Sequence, residues 1–282
     1  MAELRNLFAK QLLIIVRLNY FMDFTLKIYR RLLKSLLNEG YTFLTFKEFL
    51  INQKKNTKIV VLRHDVDLFP ENSLIFAKIQ YELGLKGSYY FRSVPESWND
   101  EIILEIDSLG HEIGYHYETM DTSNGNIDLA MEQFKNCLHE LRLLVEVKTI
   151  CMHGSPLSKF DNRELWKKFN YKNYDIIGEP YYDVNFDSTY YLTDTGRRWD
   201  GFNVSVRDKV PQQKKWIKEG FVFSNTREII SAIENGVFPN QIMFTFHPQR
   251  WHNNYFFWSK EMILQNFKNL VKKWFYLRKE PF

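Results

Sequence analysis

Short apolar runs alternate with longer amphipathic segments along the chain after residue 57. The runs are rich in β-branched and aromatic residues, which is typical of buried strands. The segments between them repeat apolar residues at helical spacing, and two of them stop at Gly84 and Gly110, as helices often do. The predicted strands are 59–63, 88–91, 112–116, 148–152, 174–177, 190–193, 221–224 and 242–246. The predicted helices are 70–83, 100–109, 127–145 and 162–169, with two more that start after 226 and at 259.

Strands and helices in alternation predict parallel βα units, and hence an α/β fold. The chain has 282 residues, 45% of them hydrophobic, which is enough for the core of one α/β barrel. No internal repeat, low-complexity tract or linker divides the sequence. We therefore predict one barrel-like domain over residues 58–282, preceded by a helical extension over residues 1–57.

The extension begins with a basic amphipathic stretch. Residues 1–34 carry seven Lys or Arg side chains against Glu3 and Asp23, and their apolar residues recur near helical spacing. Such a helix can pack on the domain or rest on an anionic membrane surface, and both interpretations stay open. The apolar run 12–16 is too short for a signal peptide, and no stretch reaches the length of a membrane span. The sequence therefore predicts a cytoplasmic protein, with peripheral contact to the inner membrane as the second interpretation.

Composition narrows the function only a little. The net charge of +4 is small for this length, so a broad nucleic-acid-binding surface is not predicted. Cys137 and Cys151 fall in a predicted helix and a predicted strand, and we expect two free thiols rather than a disulfide framework. Aromatic residues make up 17% of the chain; most are expected in the core, although aromatic faces also suit sugar rings. The oligomeric state stays open.

Reactive side chains recur directly after the predicted strands. In a (β/α) barrel the carboxyl ends of the strands face one side, where the active site lies. One such residue has little meaning, but several at the same end predict a shared site. These residues are Asp65, Asp67, Arg92, His116, His153, Asp194 and His247.

Asp65 and Asp67 are two residues apart at a strand end, so both side chains should point to the same face. Neighbouring carboxylates repel each other, and a divalent cation between them or a captured proton relieves that repulsion. The alternative for Asp67 is that it caps the helix that starts at Pro70. His111 lies five residues before His116 and should face the other side of its strand, so it is predicted to bond the backbone.

The order of these signals resembles the NodB-homology polysaccharide deacetylases of carbohydrate esterase family 4. The most specific part is G-H-E-I-G at 110–114 followed by His116, which is similar to the family's second motif. Four further segments resemble its remaining motifs: R-H-D-V-D at 63–67, M-H-G-S-P at 152–156, R-W-D at 198–200 and T-F-H-P at 245–248. The resemblance spans about 59–250. It looks closer to a branch associated with surface-polysaccharide and O-antigen loci than to the secreted chitin-active enzymes.

The resemblance implies a distorted (β/α)7-type barrel and a metal-dependent carbohydrate de-N-acetylase. The implied substrate is an N-acetylated sugar of a bacterial surface polysaccharide or of its precursor. By position in the motifs, Asp65 is the implied general base and His247 the implied general acid. Asp67 and His116 are the implied ligands of a divalent metal, for which Zn²⁺ is the favoured identity.

The sequence departs from the family pattern at two places. Met120 stands where the family has its second histidine ligand, and His153 stands where it has an arginine that steadies the base. Three explanations stay open: His153 or Glu118 supplies the ligand, fewer protein groups hold the metal, or the site is metal-free and inactive. Because Zn²⁺ accepts three protein ligands and keeps an open position, the predicted set is Asp67, His116 and His153.

Other polar and aromatic residues near the strand ends are candidates for substrate contact. Arg92, Arg197 and Arg198 are predicted to bind an acidic or phosphorylated part of the substrate, with structural ion pairing as the alternative. Glu118 is a candidate substrate contact and Trp199 a candidate sugar platform. Two further functions fit the sequence: a catalytically inactive carbohydrate-binding protein with this fold, and a hydrolase of another C–N amide bond.

Overall fold

The strands form one parallel sheet. The structure is a computed structural model that describes residues 22–52, 57–155, 158–203, 205 and 207–275. In this part of the chain the sheet has seven strands in the order β5-β4-β3-β2-β7-β6, with β1 beside β2. The strands are β1 (Thr42–Leu44), β2 (Ile59–Val66), β3 (Ser88–Phe91), β4 (Glu112–Tyr117), β5 (Ile150–Met152), β6 (Tyr190–Thr193) and β7 (Gln241–Phe246).

Strand β2 lies at the centre of this sheet. It pairs with β7 along one edge and with β1 and then β3 along the other, and all its eight residues are buried. The sheet is curled, because Cys151 of β5 and Tyr191 of β6 enter the same buried cluster as Val61 and Met243, although they lie on opposite edge strands. The result is an open half-barrel with surrounding helices, which confirms the predicted α/β barrel class.

Helices follow most of the strands. Several begin at a residue whose side chain accepts a backbone N–H of the first turn, as Thr25, Asn99, Asn126 and Asn225 do. The helices are α1 (Leu26–Asn38), α2 (Phe46–Ile51), α3 (Pro70–Glu82), α4 (Asp100–Ser108), α5 (Thr119–Thr122), α6 (Ile127–Leu144), α7 (Leu165–Lys168), α8 (Pro180–Asp183), α9 (Gln213–Lys218), α10 (Thr226–Glu234) and α11 (Tyr255–Phe275). The described residues also form short 3₁₀ turns at Asn162–Glu164, Tyr171–Tyr174, Gly201–Asn203 and Pro248–Arg250.

The region before β2 contributes to the same sheet. Helix α1 buries an apolar face that includes Tyr29, Leu32 and Leu36, and it packs beside α10. Strand β1 pairs with β2, so the predicted boundary between residues 57 and 58 falls between two strands of one sheet. The basic stretch of residues 1–21 lies outside the described residues. No helix of the described chain is both long enough and apolar enough to cross a membrane.

Two predicted strands are wrong. Residues 174–177 start in a 3₁₀ turn and reach the sheet only through a single bridge between Gly178 and Thr149. Residues 221–224 form no strand; Phe221 and Phe223 instead pack against Tyr190. Aromatic residues suit any half-buried surface, so a short aromatic run does not by itself indicate sheet pairing.

Candidate active site

A pocket of about 380 Å³ opens at the carboxyl ends of the strands. Five of the residues predicted from the sequence line it. Two of them come from the end of β2, one from β4, and two from the segments that directly follow β5 and β7. These residues are Asp65, Asp67, His116, His153 and His247.

Asp67 lies at the centre of this group. Its Oδ1 is 3.6 Å from Nε2 of His116 and 3.7 Å from Nε2 of His153, is buried, and accepts no hydrogen bond from the described residues. Its Oδ2 accepts a hydrogen bond of 3.1 Å from Gln249 and lies 3.9 Å from Nε2 of His247. Burial acts to raise the pKa of the Asp67 carboxyl, but the surrounding imidazoles hold that pKa well below its usual value.

The two imidazoles that face Oδ1 of Asp67 are each oriented by a contact at the other ring nitrogen, Nδ1. Nδ1 of His116 donates to the carbonyl oxygen of Cys151 at 3.0 Å, because a carbonyl can only accept, and this bond turns Nε2 of the ring toward Asp67. Nδ1 of His153 lies 3.0 Å from Oε2 of Glu118, in ion-pair contact but out of line for a well-directed hydrogen bond. A carbonyl or carboxylate oxygen at the second ring nitrogen fixes the orientation of a metal-ligating histidine in this way.

The set Asp67, His116 and His153 fits a divalent metal. Ligand atoms about 2 Å from one shared ion lie at separations close to the 3.6 and 3.7 Å that join Asp67 Oδ1 to the two imidazoles, whose ring centroids are 5.2 Å apart, and the Oδ1 atom without a hydrogen bond is the one such an ion would neutralise. A second set, Asp65, His116 and Cys151, places all three of its ligand atoms within 4.8 Å of one another. That second set fits less well, because both oxygens of Asp65 bond an arginine and burial raises the pKa of the Cys151 thiol.

Met120 has no place in the pocket. Its side chain is buried in the apolar core, and its backbone N–H donates to Asn162. Met120 therefore offers no atom to the pocket, and the imidazoles that lie within 4 Å of the Asp67 carboxylate are those of His116, His153 and His247.

Arg63 is a pocket residue that the sequence reasoning missed. Its Nε donates to Oδ1 of Asp65 at 2.8 Å and its Nη2 donates to Oδ2 at 2.6 Å, with both side chains almost fully buried. Burial acts to lower the pKa of Arg63, but the Asp65 charge holds that pKa well above its usual value. The signal was present in the sequence, since residues 63 and 65 point to the same face of a strand.

His247 is held by a fully buried carboxylate. Asp194 Oδ1 lies 2.5 Å from Nδ1 of His247, and Asp194 Oδ2 accepts from the His247 backbone N–H at 2.9 Å. Asp194 also accepts from Trp251 Nε1 at 2.6 Å and from Arg250 Nη1 at 3.1 Å. The carboxylate thus fixes the imidazole so that Nε2 faces the pocket.

Two of the predicted substrate contacts lie on the far side of His153. Arg92 donates to both oxygens of Glu118, at 3.0 and 2.8 Å, and to the backbone oxygen of Asp67 at 3.0 Å. Burial acts to raise the pKa of Glu118, but its contacts with His153 and Arg92 lower that pKa to about 2. The pair is engaged in holding His153 and Asp67 in place, and it does not line the pocket that contains Asp65 and His247.

The other three predicted substrate contacts are placed elsewhere in the fold. Arg197 stacks its guanidinium on Trp258 and donates to the backbone oxygen of that residue. Arg198 bonds both oxygens of Asp200 on an exposed surface. Trp199 is 2% exposed and packs in the aromatic core, so it offers no face to a sugar. The structure therefore corrects the prediction for all three.

A third carboxylate, Asp208, also lines the pocket and was not predicted. It accepts hydrogen bonds from Tyr181, Thr193 and Thr195 at 2.8, 2.5 and 2.6 Å, and another from Tyr191. Burial acts to raise the pKa of Asp208, but the charge of Arg63 and these hydroxyl donors lower it. The residue follows no predicted strand, so the strand-end rule could not find it.

Comparison with known proteins finds no family model and no curated protein that matches this sequence. Among solved structures, the chain is similar to a family 4 carbohydrate esterase from Bacillus anthracis at 12% identity and a TM-score of 0.42, with 84% of each chain covered. It is similar to PdaA of Bacillus subtilis, a family 4 carbohydrate esterase, at 12% identity and a TM-score of 0.37, with 84% of this chain and 83% of that one covered.

A third similar structure is a CE4 family pseudoenzyme from Bacillus anthracis, at 12% identity and a TM-score of 0.43. The match covers 78% of this chain and 63% of that one, so the chain spans less than two thirds of the pseudoenzyme's length. Likenesses at this level establish no chemistry for this chain, which is argued from its own side chains.

Proposed function

We propose that this protein is a metal-dependent hydrolase that removes the N-acetyl group from a sugar of a bacterial surface polysaccharide or of its precursor. One observation carries the proposal: the bare Oδ1 of Asp67 faces Nε2 atoms of His116 and His153, with Asp65 and His247 in the same pocket. The sugar and its place in a surface polysaccharide rest on the motif resemblance. The proposed site of action is the cytoplasm or the cytoplasmic face of the inner membrane.

Asp67, His116 and His153 would hold the divalent ion. One carboxylate oxygen and two imidazoles suit Zn²⁺, which tolerates three protein ligands and leaves a position open. When bound, such an ion lowers the pKa of a coordinated water and polarises a substrate carbonyl. The contacts of Glu118 with His153 and of Cys151 with His116 keep both rings directed at that position.

Asp65 and His247 would carry the proton transfers. Asp65 takes a proton from the attacking water, and Arg63 holds both its oxygens so that the carboxylate keeps one orientation. His247 gives a proton to the departing amine through Nε2, while Asp194 holds Nδ1 and stabilises the protonated ring. The base and the acid thus have separate buried partners, which lets them act in opposite senses in one pocket.

The test is acetate release. Purified protein is incubated with N-acetylated surface-glycan fragments, with and without added Zn²⁺, and acetate is followed by NMR. Asp65→Asn and His116→Ala should each remove most of the release, whereas Asp187→Asn, a change at an exposed carboxylate, should leave it unchanged. Release at the wild-type rate from Asp65→Asn would reject the assignment of the base. Glycan binding with no release under any metal would favour a carbohydrate-binding protein instead.

A further inference from the structure

Helix α11 contributes one face to the pocket. Gln265, Lys268 and Lys272 all line it, and their spacing places them on consecutive turns of one side of the helix. The helix is fixed at both halves, since Trp258 Nε1 donates to the backbone of Asp23 at 2.6 Å and Asn269 donates to the backbone of Gly196 at 2.8 Å. The two lysines are therefore held at the pocket by a fixed element.

Lys268 and Lys272 are like charges one turn apart, an arrangement that is unfavourable by itself. Arg250 lies close by and adds to the repulsion. Burial, followed by the charges of Arg250 and Lys268, lowers the pKa of Lys272 to about 8. Asp208 and Asp67 act on Lys272 only through their charges, and among the described residues neither lysine forms an ion pair with a carboxylate. The repulsion is relieved if an anion lies between the ammonium groups.

The acidic groups of the pocket have other partners. Asp208 and Asp67 are near enough to act on Lys272, but hydroxyl donors surround Asp208 and imidazoles surround Asp67. Both oxygens of Asp65 bond Arg63. The pocket is therefore lined by five cationic side chains and only three carboxylates, each of which has contacts other than the two lysines.

Two guanidinium groups in the same pocket keep unused donors. Nη1 of Arg63 is buried without a hydrogen-bond partner in the described chain, and Arg63 is 1% exposed. Nε of Arg207 is also buried and has no partner there, while its Nη1 lies 3.6 Å from Asp161 outside the pocket. Buried donors of a charged group are costly when they are left unpaired, so these atoms also point to a bound acceptor.

We propose that Lys268, Lys272 and Arg207 form a subsite for a phosphate group carried by the sugar substrate. A phosphate dianion has the charge and the oxygen count to accept from two ammonium groups and one guanidinium, which a neutral sugar does not. The inference rests on the proposed function and names its substrate class. It also moves the anion-binding role, which the sequence assigned to Arg92, Arg197 and Arg198, to residues of α11 and of the segment before α9.

Phosphate binding is measured first on the metal-free full-length protein, so that the metal site does not contribute. Inorganic phosphate and N-acetylglucosamine 1-phosphate are titrated by ³¹P NMR line broadening, and N-acetylglucosamine is titrated by calorimetry as the neutral probe. Each of Lys268→Gln and Lys272→Gln should weaken phosphate binding about tenfold, and the double variant about a hundredfold. Lys260→Gln, on the exposed start of the same helix, should leave it unchanged.

Further measurements distinguish a lipid-linked from a soluble phosphate and decide whether the subsite exists. The same sugar phosphate esterified to a short polyprenol, in detergent micelles, is compared with the soluble compound; the tighter of the two identifies a lipid-linked or a soluble substrate. Equal affinity of the wild type for phosphorylated and neutral sugar overturns the subsite, and so does full phosphate affinity in the double variant. Full phosphate affinity in the double variant together with acetate release from neutral glycans rejects only the subsite; phosphate binding that depends on both lysines, without any acetate release, rejects only the hydrolase.

Discussion

At the scale of single residues, the pair Arg63 and Asp65 decides how the proposed base is held. Replacing Arg63 by Met removes both hydrogen bonds to the carboxylate and leaves a buried charge without its partner. We expect acetate release to fall on the order of a hundredfold, about 2.7 kcal/mol in the barrier, with kcat affected more than KM. Initial rates over a range of substrate concentrations check this.

Because Arg63→Met can also lower the free energy of unfolding, Arg63→Lys serves as the second variant. Lysine keeps the charge but cannot bond both oxygens of Asp65 at once. Urea unfolding reports stability, and metal content reports whether Asp67 and His116 are still in place. An Arg63→Lys protein that is stable, metal-loaded and fully active would contradict the positioning role.

His111 gives a prediction for pH. Its Nδ1 accepts from the N–H of Gly87 at 3.1 Å and its Nε2 lies 3.1 Å from the carbonyl oxygen of Ala77, so the folded protein needs the neutral ring. Burial lowers its pKa from 6.5 to about 4. The unfolded chain therefore binds more protons between these values, and the stabilisation present above pH 6.5 is lost as the pH falls to 4. The loss amounts to about 3 kcal/mol in the free energy of unfolding.

The measurement is the urea midpoint at pH 7 and at pH 4.5, for the wild type and for His111→Gln. A glutamine amide can accept from Gly87 and donate to Ala77 without titrating, so this variant should lose less stability in acid than the wild type does. His64, whose pKa burial lowers to about 3, contributes a loss of the same sign in both proteins. Equal acid sensitivity of the two proteins would remove His111 as a cause.

At the scale of elements, Gly114 shows why β4 can lie so close to β3. A Cβ at Gly114 would approach Cε1 of Tyr90 to 2.3 Å and the carbonyl oxygen of Thr149 to 3.0 Å. Tyr90 is fully buried and bonds Thr149, so its ring has little freedom to move away. We expect Gly114→Ala to lower the free energy of unfolding by roughly 2–3 kcal/mol through overpacking, measured by urea titration.

A double variant identifies the cause of that loss. In a Tyr90→Leu background the clashing ring atoms are absent, so adding Gly114→Ala should cost clearly less than it does alone. An equal cost in both backgrounds would mean that the backbone near Thr149, rather than the Tyr90 ring, sets the limit.

The elements also show what the sequence could predict. Strands β2, β4 and β7 are bounded by clear apolar runs, and the strand-end rule brought Asp65, His116 and His247 together from the pattern alone. The strand predictions for 174–177 and 221–224 were wrong because a high aromatic content indicates burial rather than strand pairing. The predicted substrate contacts of Arg197 and Trp199 were wrong for a related reason. A residue that is close to a strand end in sequence can still point its side chain away from the pocket when it lies in an irregular loop.

At the scale of the whole molecule, the pocket depends on contacts between distant parts of the chain. Asp67 and Gln249 are bonded across 182 positions, and helix α11 brings Lys268 and Lys272 to residues of β2. No periodicity in the sequence encodes where a terminal helix lies on a barrel, because that placement follows from which loops leave a groove open. The sequence does not reveal the hydrogen bonds between Asp208 and hydroxyls of two separate segments for the same reason.

Metal binding by Asp67, His116 and His153 should stabilise the whole fold, because these ligands meet only in the folded chain. An ion at a hundred times its dissociation constant adds about 2.7 kcal/mol to the free energy of unfolding. For a chain of this size the melting temperature should rise by roughly 5–10 °C. The gain should shrink as the pH falls: burial acts to lower the pKa of His153, but its contacts with Glu118 and Asp67 raise that pKa, so protons compete with the ion for this ring. His116→Ala should abolish it, and His139→Ala, at an exposed histidine, should keep it. If neither Zn²⁺ nor another divalent ion shifts the melting temperature of the wild type, the bare oxygen of Asp67 has some other function, and a hydrolase that depends on metal is excluded.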